Sequence, residues 1–334
     1  MSLNRLAQIV LAAVSAFVLQ AGGLDAQIMR VPYASLSPNY GPLWVAESAG
    51  LFKKNRLDIQ PVYISSGSVV VPALLSGEVK IANMGGAAAI TAWARGADLA
   101  LVAVSSDRLL HVIMASSKIR HPEDLKGKRI ASDRYGSLSE VILREALRYH
   151  SLAPDKDVAI IQSGGVPERL GALKVGAVDA AILTGDQKLQ AEKLGFRPVI
   201  DLSQLPLRYP TSGIVVTRSY LRGNRETVKA FLKGWVEGIK VFKTDEEFTI
   251  RVLGKYLKSG DREILARTYE IYKDVHERAP HPTAAGVAFG LERLAETFPA
   301  AAKLKADDLL AKELMQELES EGFIKALYAA APAR

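Results

Sequence analysis

The chain has 334 residues, a net charge of +7, 49% hydrophobic residues and no cysteine. This length provides one large or two medium domains with a real core, and the lack of cysteine excludes a disulfide framework, a thiolate metal site and a cysteine nucleophile. Lysine and arginine are scattered without interleaved aromatic residues, which disfavours nucleic-acid binding and indicates at most a mild preference for anionic small ligands.

The first 26 residues have the layout of a secretory signal peptide. Asn4 and Arg5 precede an apolar run over residues 6–19, and small residues then lead to Ala26. A membrane anchor is the alternative, but this 14-residue run is too short to cross about 30 Å of hydrocarbon. We therefore expect cleavage near Ala26, no lipid anchor because no cysteine follows the run, and a periplasmic mature protein.

After the leader, strand patterns alternate with helix patterns. The first series predicts strands over residues 28–33, 57–64, 80–84 and 99–105, and helices over residues 40–54, 68–76 and 87–95. The alternation of strands and helices is typical of a parallel sheet with helices on both faces.

A second series of the same kind follows. It predicts strands over residues 128–132, 158–162, 178–184 and 197–202, and helices over residues 137–150, 167–175 and 186–194. Strand-like connectors at 109–116 and 212–217 flank this series, which indicates two lobes joined by two crossing strands. We expect residues 27–110 to form the first part of lobe 1, residues 111–210 to form lobe 2, and residues 211–334 to return to lobe 1.

The remainder, residues 220–327, is almost entirely helical by pattern. One buried stripe with spacings of three and four residues is typical of a core-facing helix, and a run of leucines marks a second stripe. The first stripe comprises Val228, Phe231, Leu232, Trp235, Ile239 and Phe242, and the second comprises Leu309, Leu310, Leu314 and Leu318.

The turns from predicted strands into helices are the candidate ligand site. Nearly all are rich in glycine or serine, which let a ligand approach the backbone or donate a hydroxyl group. Helix N-termini also carry unpaired N–H groups and partial positive charge. Several such turns facing one gap predict an anion site, although each turn alone is equally consistent with ordinary turn chemistry. The turns are residues 34–39, 65–68, 85–87, 133–137, 163–166 and 185–186.

Catalytic and cofactor signatures are missing from the sequence. Residues 85–89 lack the third glycine of a dinucleotide fingerprint, and there is no phosphate-loop motif. The five histidines form no metal-binding pair, and no G-x-S-x-G motif occurs. We therefore predict a protein that is not an enzyme and has no cofactor and no metal. His111, in an apolar connector, is interpreted as a packed core or hinge residue rather than a base.

Two charged residues lie at promising turn positions. Asp186 is a candidate partner for an amine and Arg134 a candidate clamp for an acid group, and each is equally consistent with a surface residue or a helix cap. Four aromatic residues are candidates for an apolar wall, although Trp44 fits the core face of its helix equally well: Tyr33, Tyr40, Trp44 and Tyr135.

A set of motifs over residues 29–242 resembles one family. The first lobe contains a Ser-rich loop, then LWVAESAGLFKKNRLDI, SGS, ALLSGEVKIA and ARGAD, and the second contains HPEDLKGKRIASDRYGSLSEVILREAL and ERLGALKVGAVDAAIL. The set resembles the periplasmic substrate-binding proteins of ABC transporters, in the branch that binds nitrate, sulfonates, taurine and thiamine-pyrimidine precursors. The resemblance implies a two-lobed α/β fold of type II, with two parallel-rich sheets joined by two crossing strands and a helical C-terminal region.

The resemblance also implies which residues touch the ligand. Family contacts come from the turns identified above, with softer candidates at Asp186 and near Thr211. Asn83 departs from the acidic residue that many relatives have before the third turn, which separates this chain from the usual sulfonate and nitrate pattern. Carried over, the contacts fall on Ser35, Ser37, Asn39, Ser66, Gly67, Ser68, Gly85, Gly86, Ala87, Gly136 and Ser137.

The resemblance implies a monomeric, non-enzymatic protein that closes on a small, anionic organic ligand and delivers it to an ABC permease in the inner membrane. Two alternatives stay open at the level of sequence. One is an enzyme on the same fold, such as a pyrimidine-precursor synthase or a small-acid lyase. The other is a sensory module that presents its liganded lobes to a membrane receptor.

Overall fold

The computed structural model describes residues 28–329, so the predicted signal peptide lies outside the described residues. Two five-stranded sheets organise this part of the chain. Among residues 28–329, no helix is both long enough and apolar enough to cross a membrane.

The first sheet has the strand order β2-β1-β3-β10-β4. Strand β1 is parallel to β2 and β3, whereas β10 is antiparallel to both β3 and β4. Its strands are β1 (Met29–Tyr33), β2 (Ile59–Tyr63), β3 (Ile81–Met84), β4 (Ala100–Arg108) and β10 (Arg208–Val216).

The second sheet repeats this plan in the order β7-β6-β8-β5-β9. Strand β6 is parallel to β7 and β8, and β5 is antiparallel to both β8 and β9. Its strands are β5 (His111–Ala115), β6 (Arg129–Ser132), β7 (Ala159–Gln162), β8 (Ala180–Thr184) and β9 (Arg197–Asp201).

Each sheet is rich in parallel strands, as expected, and has one strand antiparallel to its neighbours. The antiparallel strand is β10 in the first sheet and β5 in the second. Each arrives from the other sheet without a helical crossover, and it therefore runs in the opposite direction to its neighbours. The two-lobed α/β fold with crossing strands is confirmed.

Between residues 28 and 193, seven α-helices cover the strands. The helix predicted over residues 40–54 is broken in two, because Gly50 has a φ of +68° and the chain turns there. The helices are α1 (Gly41–Ser48), α2 (Leu51–Lys54), α3 (Gly67–Leu75), α4 (Gly86–Ala94), α5 (Leu138–Tyr149), α6 (Val166–Lys174) and α7 (Gly185–Lys193).

The C-terminal part is helical as predicted and packs on the first sheet. We call the first sheet with α1–α4 and the C-terminal helices lobe 1, and the second sheet with α5–α7 lobe 2. The C-terminal helices are α8 (Arg218–Gly223), α9 (Arg225–Thr244), α10 (Glu246–Leu257), α11 (Arg262–Tyr272), α12 (Ala284–Ala295), α13 (Glu313–Ser320) and α14 (Phe323–Ala329).

The chain passes between the two sheets at residues 109–110, between β4 and β5, and at residues 202–207, between β9 and β10. Only short segments of backbone therefore have to bend when one lobe moves relative to the other. Relative motion of the lobes is the ordinary expectation for such an arrangement.

Helices α9 and α1 of lobe 1 pack closely. Phe52 and Phe231 stack nearby with ring centroids 5.0 Å apart, and the predicted apolar stripe of α9 is buried. A Cβ atom at Gly238 would overlap the carbonyl oxygen of Pro42 and lie 2.7 Å from Cβ of Ala46. Glycine at 238 thus sets the distance between the two helices.

We expect Gly238→Ala to lower the free energy of unfolding by about 1–3 kcal/mol, because the added methyl group forces α9 away from α1. Urea unfolding followed by circular dichroism measures this change. Gly171→Ala is the matched control, because Gly171 lies in helix α6 with nothing within 4 Å of the added Cβ, so helix propensity makes that substitution neutral or stabilising. Equal effects of the two substitutions would contradict the assignment.

Candidate functional site

A cavity of about 30 Å³ lies between the two lobes, enough for roughly two water molecules. It lies beyond the carboxyl ends of strands from both sheets, where ligands bind in open α/β folds. Residues of both lobes line it: Ala34, Ser35, Ser37, Asn39, Tyr40, Gly67, Gly85, His111, Asp133, Ser137, Leu138, Ser139, Thr184 and Thr211.

Helices of both lobes begin at the cavity wall. Helices α3 and α4 of lobe 1 begin beside Gly67 and Gly85, and helices α5 and α7 of lobe 2 begin after Ser137 and Thr184. Each of these helix N-termini contributes unpaired N–H groups and partial positive charge. Positive ends from both lobes thus surround one small volume, which favours an anion.

The first loop of lobe 1 is fixed by local hydrogen bonds. The hydroxyl of Ser37 accepts from the backbone N–H of Asn39 at 3.4 Å and caps a short 3-10 turn. His276 supports this turn from behind, because Nε2 faces the carbonyl of Pro38 at 3.4 Å and Nδ1 faces the hydroxyl of Ser105 at 3.0 Å. Nε2 is therefore the donor and Nδ1 the acceptor of a neutral imidazole.

Several buried polar atoms at the cavity have no hydrogen-bond partner within the described part of the chain. Among the lining residues these are Oδ1 of Asn39, Nδ1 of His111 and Oγ1 of Thr184. Buried polar groups are nearly always paired, so unpaired ones in a cluster need an explanation. A polar ligand bridging the lobes is the simplest partner for such a cluster.

Asp133 lines the cavity on the lobe 2 side, and Arg169 is buried in the same lobe. Asp133 accepts a hydrogen bond from the backbone N–H of Arg134 at 2.7 Å, and burial raises the pKa of its carboxyl group. Arg169, on α6, is 1% exposed, and its Nε and Nη1 atoms have no partner among the described residues. Burial, with the charge of Arg169 second, lowers the pKa of His111 to about 3, so this imidazole is neutral.

The structure brings half of the sequence-predicted site residues to the cavity wall. They come from five separate segments of the chain, which only the tertiary fold places together. These residues are Ser35, Ser37, Asn39, Gly67, Gly85, Ser137 and Thr211.

Three of the other predicted residues lie just behind the wall in lobe 1. Ser66 is the buried N-cap of α3, and its hydroxyl lies 2.8 Å from that of Ser68. Gly86 and Ala87 are buried in the first turn of α4, where a Cβ at Gly86 would lie 3.0 Å from Cβ of Pro210 rather than in the cavity. In this conformation it is Gly85, not Gly86, that faces the opposite lobe.

The remaining four face other surroundings. Ser68 and Gly136 line a neighbouring crevice between α3, α4 and Tyr135, and the side chain of Arg134 is exposed. Asp186 is 1% exposed at the start of α7, where the hydroxyl of Tyr272 donates to its Oδ1 at 3.4 Å. Burial raises the pKa of Asp186 to about 6, and this hydrogen bond joins lobe 2 to lobe 1.

Only some of the aromatic candidates lie at the cavity. Tyr40 lines the cavity, whereas Trp44 is fully buried and stacks on Tyr256 with centroids 4.8 Å apart. Tyr135 is 51% exposed. The core interpretation of Trp44 is therefore the one that the structure supports.

The sequence reasoning missed His111 and Thr184 as lining residues, together with Arg169. Asp133 begins the selected turn 133–137 but was not named as a contact. Thr184 ends a strand, so the rule that selected the turns extends to it. Arg169 lies on the buried face of α6, where its neighbours Val166 and Leu170 are apolar. The sequence signal for Arg169 was a single charged residue within the apolar stripe of its helix. Within residues 28–329, no group of three or more His, Cys, Asp or Glu side chains is placed to hold a metal ion.

Comparison with known proteins gives consistent matches. A family model described as "NMT1/THI5 like" matches residues 37–247. The chain is 25% identical over 279 residues to the putative binding protein YtlA of Bacillus subtilis, covering 80% of this chain and 82% of that protein. It is 27% identical over 201 residues to the taurine-binding periplasmic protein of Escherichia coli, covering 59% and 61%.

A solved structure shares the fold over nearly the whole length. The periplasmic nitrate-binding protein NrtA of Synechocystis superposes with a TM-score of 0.74, covers 93% of each chain and is 14% identical in sequence.

The buried His276 predicts a pH dependence of stability. Burial lowers its pKa from 6.5 in the unfolded chain to about 3, so the unfolded state binds the extra proton between these values. The neutral imidazole costs no stability above pH 6.5. As the pH falls from 6.5 towards 3, the free energy of unfolding decreases, and at pH 5 this decrease is about 2 kcal/mol. We expect His276→Gln to remove this loss.

Urea unfolding of both proteins at pH 7.5 and pH 5.0 measures the difference. His121→Gln, at an exposed position, is the matched control for the substitution. An identical loss of stability in wild type and His276→Gln would show that the buried imidazole is not held neutral.

Proposed function

The chain belongs to the NMT1/THI5-like family, and from this premise we propose that it is the extracytoplasmic solute-binding component of an ABC importer. In this proposal its two lobes close over a small, anionic organic ligand, and the closed form docks on a permease in the inner membrane. The names of two proteins that it resembles, one taurine-binding and one nitrate-binding, support an anionic solute and a periplasmic location.

The observation that carries the proposal is the cavity shared by the two lobes. Helix N-termini of α3 and α4 approach it from lobe 1 and those of α5 and α7 from lobe 2. Thr184, whose hydroxyl has no partner among the described residues and can donate, belongs to the lining of the same volume. Such a constellation supports recognition of an anion by backbone and hydroxyl donors from both lobes.

The same geometry supports closure as the binding event. A ligand shifts the equilibrium between open and closed forms only if it binds the closed form more tightly. A ligand in the cavity contacts both lobes only when they are closed, which supplies that difference. The cavity of about 30 Å³ accommodates a charged headgroup of a few atoms, so we propose a compact ligand or one whose headgroup alone is enclosed.

An enzymatic function has less support. The pKa of His111, lowered to about 3 by burial and by Arg169, makes this imidazole a weak base at neutral pH. Among residues 28–329 there is no candidate metal cluster. We propose that the protein binds its ligand without chemistry, as a monomer and without a cofactor, with lobe boundaries near residues 110 and 210.

Isothermal titration of the purified mature chain with nitrate, taurine, methanesulfonate, acetate and a neutral amide tests the proposal. We expect 1:1 binding of at least one anion, no binding of the amide, and a smaller radius of gyration by X-ray scattering when the anion is bound. Binding of a neutral solute alone, or turnover of any of these compounds, would contradict it.

Gly85→Val tests whether closure is needed for binding. A Cβ at Gly85 would lie 2.8 Å from Cδ2 and 3.0 Å from Cβ of Leu138 in the opposite lobe, so a valine holds the lobes apart. We expect affinity for the bound anion to fall at least about tenfold, or 1.4 kcal/mol, with the thermal unfolding midpoint unchanged. Gly223→Val, where nothing lies within 4 Å, is the control, and equal affinities of the two variants would count against closure.

A further inference from the structure

A cluster of four charged residues joins the two lobes outside the candidate ligand cavity. Glu145 and Arg148 belong to α5 of lobe 2, and Arg293 and Glu296 belong to α12 of lobe 1. We call these four residues the α5–α12 cluster, and all of them lie outside the cavity lining. Glu145 follows the lining residue Leu138 by seven positions, or about 10 Å along the helix axis. The cluster therefore acts at a distance from a solute in the cavity.

The two helices carry complementary sequence patterns. In α5 an acidic residue is followed three positions later by a basic one (EALR, residues 145–148), and in α12 the order is reversed (RLAE, residues 293–296). Residues three positions apart lie on the same face of a helix. Each helix therefore presents one charge of each sign on one face, and the two faces match when the helices lie side by side.

The structure pairs these charges both within and between the lobes. Within lobe 2 Arg148 donates to Glu145, and within lobe 1 Nη1 of Arg293 donates to Oε1 of Glu296 at 2.8 Å. Between the lobes, Nη2 of Arg148 lies 3.5 Å from Oε2 of Glu296, and Nε of Arg293 lies 3.9 Å from Oε2 of Glu145. Each charge thus has one partner in its own lobe and one in the opposite lobe. When the lobes separate, no charge is left without a partner, so the contact can open and close reversibly.

Partial burial makes the α5–α12 cluster stronger than an ion pair on an open surface. The side chain of Glu145 is 7% exposed and that of Arg293 is 29% exposed. A second ion pair between the lobes, Lys193 with Asp261, has side chains that are 46% and 41% exposed, and such exposed pairs contribute little because water and salt screen them. The guanidinium group of Arg293 also lies 5.5 Å from the ring centroid of Phe289, which favours the conformation that faces Glu145.

We propose that the α5–α12 cluster stabilises the closed form without touching the solute, and that it thereby sets both the affinity for the solute and the response of closure to salt. The inference goes beyond the proposed solute-binding function and rests on the lobe closure that this function includes. A contact that favours the closed form raises the fraction of protein that is closed before the solute arrives, and the apparent affinity rises in proportion to that fraction. Because dissolved ions screen the cluster, closure weakens as the salt concentration rises.

Three variants separate the contact between the lobes from a loss of charge alone. Glu145→Gln and Arg293→Gln each remove an ion pair between the lobes and leave the pair of Arg148 with Glu296 in place. Glu292→Gln is the matched control, because Glu292 is exposed and pairs with Arg293 within lobe 1. Circular dichroism establishes that each variant is folded.

Pulsed electron paramagnetic resonance without added solute is the first measurement. Spin labels on Lys174→Cys in lobe 2 and Arg267→Cys in lobe 1, both exposed positions, report the separation of the lobes, and the chain has no native cysteine to interfere. We expect a closed population in the labelled parent at low salt. This population should fall at least about threefold in Glu145→Gln and Arg293→Gln, and also in the parent at about 0.5 M sodium chloride, whereas Glu292→Gln should match the parent. A parent without a closed population, or equal populations in the parent and these variants, overturns the inference.

Isothermal titration with nitrate, taurine, methanesulfonate and acetate is the second measurement. For the anion that wild type binds most tightly, we expect the affinity of each variant to fall in proportion to its closed population. The double variant Glu145→Gln with Arg293→Gln should lose about as much as either single variant, because both substitutions remove the same pair. Unchanged affinity despite a smaller closed population, or losses that multiply in the double variant, overturns the inference while the proposed function stands. Failure of wild type itself to bind any anion counts against the proposed function, and the spin-label measurement then decides the inference alone.

Discussion

Two short crossings of the chain, at residues 109–110 and 202–207, are the constraint on which the rest of the molecule depends. Each crossing places one antiparallel strand in a sheet whose other strands run together. The sheets are thereby complete, yet only a few residues connect them. Each lobe keeps its own strands in register, and the surface between the lobes is the part free to change.

That surface is polar where a permanent interface would be apolar. Arg169, Asp186 and His111 are buried there and Tyr63 is half-buried, each with at least one polar atom unpartnered among the described residues. A fully dry closed state is costly for such groups. A polar ligand that pairs with these groups removes the cost of burying them unpaired, and so stabilises the closed form. The contact between the lobes then becomes favourable only when the solute is bound. Helix N-termini at the same cavity set the sign of the charge that fits.

The order of strands and helices was readable from the sequence because it depends on local periodicity and on turn residues. The direction of β5 and β10 was not, because it depends on contacts distant in sequence. The glycine at 50, inside the predicted helix, was a local signal for the break there. The site was predictable in part for the same reason. Turn rules found Ser37, Gly67 and Gly85, but Arg169 lies within a helix, and only the tertiary packing places it near the cavity. Those rules also could not distinguish Gly85 from Gly86, since the distinction is set by Leu138 of the other lobe.

A single engineered disulfide tests the central claim that the lobes meet at this surface. The chain has no cysteine, so Gly85→Cys with Leu138→Cys creates one pair, at positions where the Cβ atoms approach to 3.0 Å, closer than the roughly 3.5–4.5 Å that a disulfide spans, so that a slight opening of the lobes brings the pair to bonding distance. The rate of disulfide formation under mild oxidation is measured by mass spectrometry of the cleaved chain, with and without the anion bound most tightly. We expect the disulfide to form, and to form faster with the anion. Two reactive thiols that never join would contradict a closing pair of lobes.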